Sequence, residues 1–199
     1  MKDIEVPQLQ PRFGGATFAL SDRLLRLAWT MVWTLFGAWT PPPLHRWRRW
    51  LLVAFGARID ATARVYGRTR IWWPANLIME AQASIAPGVN CYNVAPITIG
   101  AFTSVSQGAH LCTGTHDIDV AAFPLVARPI RIGAQAWVAA EAFVGPGVTI
   151  GDGAVLGARG VAFRDLAPWT VYAGNPARPI RLRERSLPED AGASSVRPA

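Results

Sequence analysis

Between positions 132 and 156 an aliphatic residue returns at every sixth place: Ile132, Val138, Val144, Ile150 and Leu156. A small residue follows each of them (Gly133, Ala139, Gly145, Gly151, Gly157), and a second small or branched one stands four places on (Ala136, Ala142, Val148, Ala154, Gly160). The same register appears in Ile99, Val105 and Leu111, in Met79, Ile85 and Cys91, and in Ile59, Val65 and Ile71. Neither the 3.6-residue turn of an α-helix nor the alternation of an ordinary strand has this period. It suits a coil with three flat faces of about six residues each, stacking parallel strands along one axis. The aliphatic positions then fill a narrow triangular interior. The small residues take corners where a larger side chain would crowd the next coil, and glycine supplies the dihedrals those corners need. A sandwich or an ordinary barrel is the alternative for a Gly-rich β sequence; five consecutive matches in fixed phase favour the coil. The period does not fix its hand, since parallel crossovers are normally right-handed.

Ahead of the coil, residues 1–56 read as a helical segment. Ser21 or Asp22 can cap a first helix carrying Leu24, Leu25, Leu27, Ala28, Met31, Val32, Leu35 and Phe36, which Pro41, Pro42 and Pro43 stop. A second helix runs roughly from Leu44 to Phe55 and closes at Gly56, with a basic face of Arg46, Arg48 and Arg49 beside Trp47 and Trp50. The stretch 24–39 is shorter than the ~20 apolar residues a bilayer span requires, and no cleavage site marks a signal peptide. Residues 57–183 form the coiled domain and 184–199 a flexible tail.

At 51% hydrophobic and 17% charged, the 199-residue chain is no disordered polymer. Its net charge of +7 suggests anionic company. Much of that charge lies in Arg46-Trp47-Arg48-Arg49 and in 178–185, and neither resembles a nucleic-acid motif. Cys91 and Cys112 sit in apolar surroundings without metal-ligand spacing and read as buried free thiols, which fits a cytosolic setting.

The register breaks between Leu111 and Ile132, an interval that six does not divide. A loop at 117–129 must leave the coil there, and loops on rigid scaffolds tend to carry function. A second irregularity, Cys91-Tyr92-Asn93-Val94-Ala95-Pro96, lies about one coil below. Of the three histidines, His45 opens a helix as a surface or cap residue, and His110 closes a hexad at an exposed corner. His116 stands at the exit into the loop, where a histidine by itself is more often structural than catalytic.

The repeat, the run Thr113-Gly114-Thr115-His116-Asp117, the segments 130–138 and 146–152, and Ala173-Gly174-Asn175-Pro176-Ala177-Arg178 together resemble the hexapeptide-repeat O-acetyltransferases. The resemblance is to the colanic-acid-biosynthesis type in particular, and it covers residues 59–183. It implies a mainly β fold, a left-handed parallel β-helix, and transfer of an acetyl group from acetyl-CoA to a sugar hydroxyl in exopolysaccharide or surface-glycan synthesis. It makes His116 the general base, a role that neutral imidazole can fill at physiological pH. It places Asn93 near the acceptor, although the loop is shorter here than in the galactoside enzymes and an asparagine satisfying a turn is the other reading. Asp117 is a weak candidate for orienting His116, and Asp22 for the acid the family draws from its N-terminal segment.

For the donor the resemblance places Ala140 and Ala158 beside the pantetheine arm. Arg164, Arg178 and Arg181 fall around the nucleotide phosphates, for which arginine's planar fork is suited. Phe163 stands where the family carries a threonine. A homotrimer with sites between subunits is implied, with no metal and no nucleic acid. The helical leader either packs over the end of the coil or across the trimer, the favoured placement, or makes peripheral contact with the inner face of the membrane. A non-catalytic hexapeptide-repeat scaffold or partner protein is the alternative function. A zinc carbonic anhydrase on the same coil would need three histidine ligands, which His110 and His116 do not supply.

Overall fold

The structure, a computed structural model, describes residues 18–184; the tail expected beyond 184 lies outside them. Three parallel sheets wind about one axis. The first holds Arg58–Ile59, Leu77–Met79, Ile97–Ile99, Ile130–Ile132 and Thr149–Ile150. The second holds Arg64–Val65, Ser84–Ile85, Ser104–Val105, Trp137–Val138 and Val155–Leu156, and ends in the antiparallel pair Thr170–Ala173 and Arg178–Leu182. The third holds Arg70–Ile71, Asn90–Tyr92, His110–Cys112, Phe143–Val144 and Val161–Ala162.

The six-residue period is the reason for this arrangement. Each sheet contributes one inward column: Ile59, Met79, Ile99, Ile132, Ile150; then Val65, Ile85, Val105, Val138, Leu156; then Ile71, Cys91, Leu111, Val144, Ala162. All are buried in one continuous core. At the corners the coils touch backbone to backbone. A Cβ on Gly133 would collide with Asp152, and one on Gly151 would lie 2.6 Å from the nitrogen of Pro168.

Helix α1 (Leu20–Phe36) and helix α2 (His45–Ala54) close the lower end of the coil. Alternate residues of each first-coil strand bond in opposite directions: Arg70 bonds upward, its N–H donating to Val89, while the carbonyl of its neighbour Ile71 faces down with no strand beneath it. The helices supply the missing donors. The indoles of Trp29 and Trp33 donate to Ile71 (2.7 Å) and Thr69 (2.8 Å). Arg48 Nε reaches Val65 (2.7 Å), and Arg49 Nε reaches Ile59 (2.9 Å). Carbonyls on the open edge are thereby engaged on all three faces, and the helices cover it against pairing with another chain.

Several expectations change at this cap. The first helix begins before the capping residues read from sequence: Ala19 is its N-cap, and Ser21 and Asp22 lie within its first turn. Phe18 packs 5.2 Å from Trp72 and fixes where the chain enters. Trp29 and Trp33 form the buried face, while Leu24, Leu27, Met31 and Leu35 are all more than half exposed. Arg48 belongs to no basic face, being completely buried. His45 is half-buried against Tyr66, its Nδ1 3.1 Å from Arg48 Nη2. Gly56 does close α2 as read, at φ +93° where a side chain would be strained.

Candidate active site

One corner, between the third sheet and the first, departs from the six-residue interval. Eight residues separate Ile71 from Met79 and Cys91 from Ile99, then 21 separate Leu111 from Ile132, and six suffice from Val144 to Ile150. The wide corners are held from inside by buried polar side chains. Asn93 accepts from Trp73 N–H (3.0 Å) and donates to Trp73 C=O (2.7 Å). Asn76 donates to the carbonyls of Asn93 and Val94. Thr113 bridges Tyr92 and Ala95. Asn93 is fully buried with both ends of its amide engaged, and it holds the Trp72-Trp73 corner in place.

The longest excursion is an antiparallel hairpin, Gly114–His116 paired with Leu125–Ala127, whose turn lies within the loop expected at 117–129. Gly114 lets it leave the coil, since a Cβ there would press on Tyr92 at 2.8 Å. His116 ends the outgoing strand and is exposed. Its ring stacks on Phe123 (4.4 Å between centroids, 11° between planes), and Nδ1 lies 3.0 Å from the Phe123 carbonyl. A carbonyl only accepts, so Nδ1 carries the proton and Nε2 is left with its lone pair. Asp117 turns elsewhere, accepting from Asp119 N–H. Nothing in the residue pattern marked Phe123, because the group that orients the ring is a backbone carbonyl.

His110 is not at a corner. It lies half-buried in a third-sheet strand, with Asn90 Nδ2 3.2 Å from its Nε2 and Phe143 edge-on at 5.3 Å. Burial holds its pKa below the ordinary value.

The residues read as donor contacts occupy two regions. Ala140 and Ala158 sit one above the other at the corner between the second and third sheets, where Arg159 N–H donates to the Ala140 carbonyl (2.9 Å). Arg164 and Arg178 line a single cavity of about 260 Å³ with Phe163, Tyr172 and Pro176. Arg181 lies on the final strand outside that cavity, its guanidinium on the Leu182 carbonyl. Phe163 is exposed and packs 5.4 Å from Phe143, covering Gly145.

A second cavity, about 170 Å³, opens at the foot of the hairpin between α1 and the wide corner. Phe18, Asp22, Arg26, Trp72, Trp73 and Val94 line it. The Arg26 guanidinium is held between Phe18 (4.5 Å) and Trp72 (4.4 Å) and makes no ion pair among the described residues. A Cβ on Gly114 would lie 3.5 Å from Val94, so this lining residue stands beside the strand bearing His116. Sequence reasoning reached Asp22 but missed Arg26, Trp72 and Trp73. Two adjacent tryptophans at a coil corner were the available signal.

No family model matches the chain. It is 43% identical over 159 residues, 80% of its length, to a protein of Escherichia coli K12 named as the colanic acid biosynthesis acetyltransferase WcaF, of which the match covers 87%. The maltose O-acetyltransferase of Clostridium difficile 630 superposes with a TM-score of 0.74 at 25% identity, over 84% of this chain and 90% of that one. The chain belongs to the hexapeptide-repeat acetyltransferases. A further member, VCA0836 of Vibrio cholerae solved with acetyl-CoA, shares the fold with a TM-score of 0.76 at 23% identity, over 86% of this chain and 94% of that one. The left-handed β-helix implied by the sequence resemblance is therefore the fold of this enzyme, and acetyl transfer its class of chemistry.

Proposed function

We propose that the enzyme moves an acetyl group from acetyl-CoA to a sugar hydroxyl during exopolysaccharide or surface-glycan synthesis, with His116 as general base. The observation that carries this reading is the 3.0 Å contact between His116 Nδ1 and the Phe123 carbonyl, which frees Nε2 on an exposed hairpin tip. Nε2 takes the proton of the acceptor hydroxyl as its oxygen bonds to the thioester carbonyl carbon. The tetrahedral intermediate collapses, the C–S bond breaks, and the imidazolium returns the proton to the CoA sulfur. The products are an acetyl ester and free CoA, with no covalent enzyme intermediate.

Support for the donor comes from the acetyl-CoA bound by the Vibrio cholerae relative. In this reading the pantetheine arm follows the stacked Ala140 and Ala158, whose small side chains permit close approach, and Arg164, Arg178 and Arg181 serve the phosphates. The Ala140 corner and the His116 corner lie at opposite ends of the third-sheet strands. A homotrimer would set one subunit's histidine beside its neighbour's alanine corner. The acceptor enters the Trp72-Trp73 cavity, with Asp22 available to sugar hydroxyls and Asn93 acting through Trp73 as a positioning residue. The colanic acid name of the Escherichia coli relative supports a glycan acceptor, and a cytoplasmic setting suits the donor.

The test is CoA release from acetyl-CoA over a panel of sugar nucleotides and oligosaccharides, comparing the wild type with His116→Ala. Turnover that vanishes in the variant supports the mechanism, and turnover that survives overturns it. If acetyl-CoA fails to bind, the non-catalytic scaffold replaces the enzyme reading.

A further inference from the structure

We propose that the capped end of the coil docks on an anionic phospholipid surface, with α1 and α2 lying in the plane of the interface. At 100° per residue, Leu20, Leu24, Leu27, Met31 and Leu35 form one stripe opposite the buried Trp29 and Trp33. These five are 55–66% exposed. A helix that already covers the coil with one face therefore presents a second apolar face directly away from it. The stripe continues into Phe36, Trp39, Trp47 and Trp50 (52, 71, 40 and 59% exposed). Trp39 and Trp47 are held there by indole bonds to the carbonyls of Leu35 and Phe36, and Trp47 stacks on Trp50 at 5.3 Å. The patch is larger than isolated surface hydrophobics explain.

Charge selects the occupant. Residues 18–79 contain nine arginines against two carboxylates, Asp22 and Asp60. Arg48 and Arg49 serve the cap internally and Arg26 the cavity, but six remain exposed: Arg23, Arg46, Arg58, Arg64, Arg68 and Arg70. Arg58, Arg64 and Arg70 open the first strand of each sheet, so the lowest coil carries one cation on every face. One coil higher, their register partners are Ile78, Ser84 and Asn90, and the ring of charge is gone. An apolar, tryptophan-edged face encircled by arginines matches an interface of acyl chains beneath anionic headgroups. A second copy seated on the same face would oppose like charges. No helix among the described residues is long and apolar enough to cross a membrane, so the placement is in-plane. Asp22 and Arg26 then stand on the side of α1 turned away from the lipid, about one helix diameter (~10 Å) above it.

The test is flotation of the full chain with phosphatidylcholine vesicles, with and without about 30% phosphatidylglycerol, for wild type and Leu24→Gln/Leu27→Gln/Met31→Gln. These three side chains contact neither cavity nor His116, and circular dichroism checks that the variant folds. The expected result is wild-type flotation only with phosphatidylglycerol, weakened by salt, and at least a roughly tenfold lower bound fraction for the variant. Absence of wild-type flotation overturns the proposal, and so does flotation that the triple substitution leaves unchanged. A fall in sedimentation coefficient in the variant, without any vesicle binding by the wild type, would assign the face to contact between copies instead.

Discussion

His116 and Phe123 are joined twice, by stacked rings 4.4 Å apart and by a 3.0 Å contact from Nδ1 to the Phe123 carbonyl. The two residues face each other across the hairpin, His116 opposite Leu125 in register and Phe123 in its turn at φ +51°. The carbonyl sets the tautomer and the phenyl ring limits how far the imidazole can swing.

Two substitutions separate these contributions. Under the proposed mechanism His116→Ala should lower kcat by about 10²–10⁴-fold while leaving acetyl-CoA affinity within about twofold. Phe123→Ala keeps the carbonyl and loses the stack. It should lower kcat about tenfold with little change in KM, because a loosened base is in position for less of the time. A rise in KM without loss of kcat would place Phe123 in substrate binding instead.

Arg48 is a cation buried without a carboxylate. Its guanidinium donates to the carbonyls of Val65, Thr40, Pro41 and Pro42 and to Thr40 Oγ1. Arg48→Met fills the volume but leaves these acceptors unmatched, so we expect a loss of about 3 kcal/mol or more in urea unfolding. Arg48→Lys should recover only part of it, since an ammonium has fewer donors and no planar fork. Equal stability of Arg48→Met and wild type would show that α2 does not cap the coil through this residue.

How far the sequence revealed these features depends on which groups perform them. The inward columns from Ile132 to Leu156 were legible because every sixth position must be aliphatic to fill the same narrow interior. The wide corner was visible only as a broken phase, since Asn93 and Thr113 satisfy backbone groups that composition does not display. The leader misled in a specific way. Leu24, Leu27 and Met31 look like a core face, yet Trp29 and Trp33 are buried because an indole combines apolar area with a donor for the carbonyls beneath the first coil. For the same reason Arg48 and Arg49 read as a solvated basic face while they serve the sheet edge. At the site, His116 could be read through the family resemblance, whereas its orienting partner could not, as any residue at 123 supplies a carbonyl.

The two thiols should differ in kind. Cys91 stacks inside the third-sheet column, and burial pushes its pKa up to about 12. Cys112 is half-buried on the outer side of the same sheet, its pKa also raised by burial. With excess iodoacetamide at neutral pH, mass mapping should find slow alkylation at Cys112 and none at Cys91 in the native enzyme, and both modified in urea. Native labelling of Cys91 would show that the coil opens at its third sheet.

Stability should fall on mild acidification, and the sign follows from the two histidines kept neutral. Burial depresses the pKa of His110 below its ordinary 6.5; burial and the neighbouring Arg48 and Arg64 depress that of His45, against a raising contact with the Val65 carbonyl. Below pH 6.5 the unfolded chain therefore binds protons that the folded chain refuses, so stability drops as pH falls. The loss continues until each folded histidine titrates at its own lower pKa. Asp60 acts in a different window: hydrogen bonds from Thr62 hold its carboxyl below the ordinary 3.8, so its contribution disappears only near and below that pH. Melting temperature should accordingly be flat above about pH 7 and decline between about pH 6.5 and 5. His110→Gln retains an acceptor for Asn90 Nδ2 but cannot be protonated, so it should remove part of that decline without lowering stability at pH 8. A variant whose profile parallels the wild type would show that His110 is as readily protonated in the folded enzyme as in the unfolded chain.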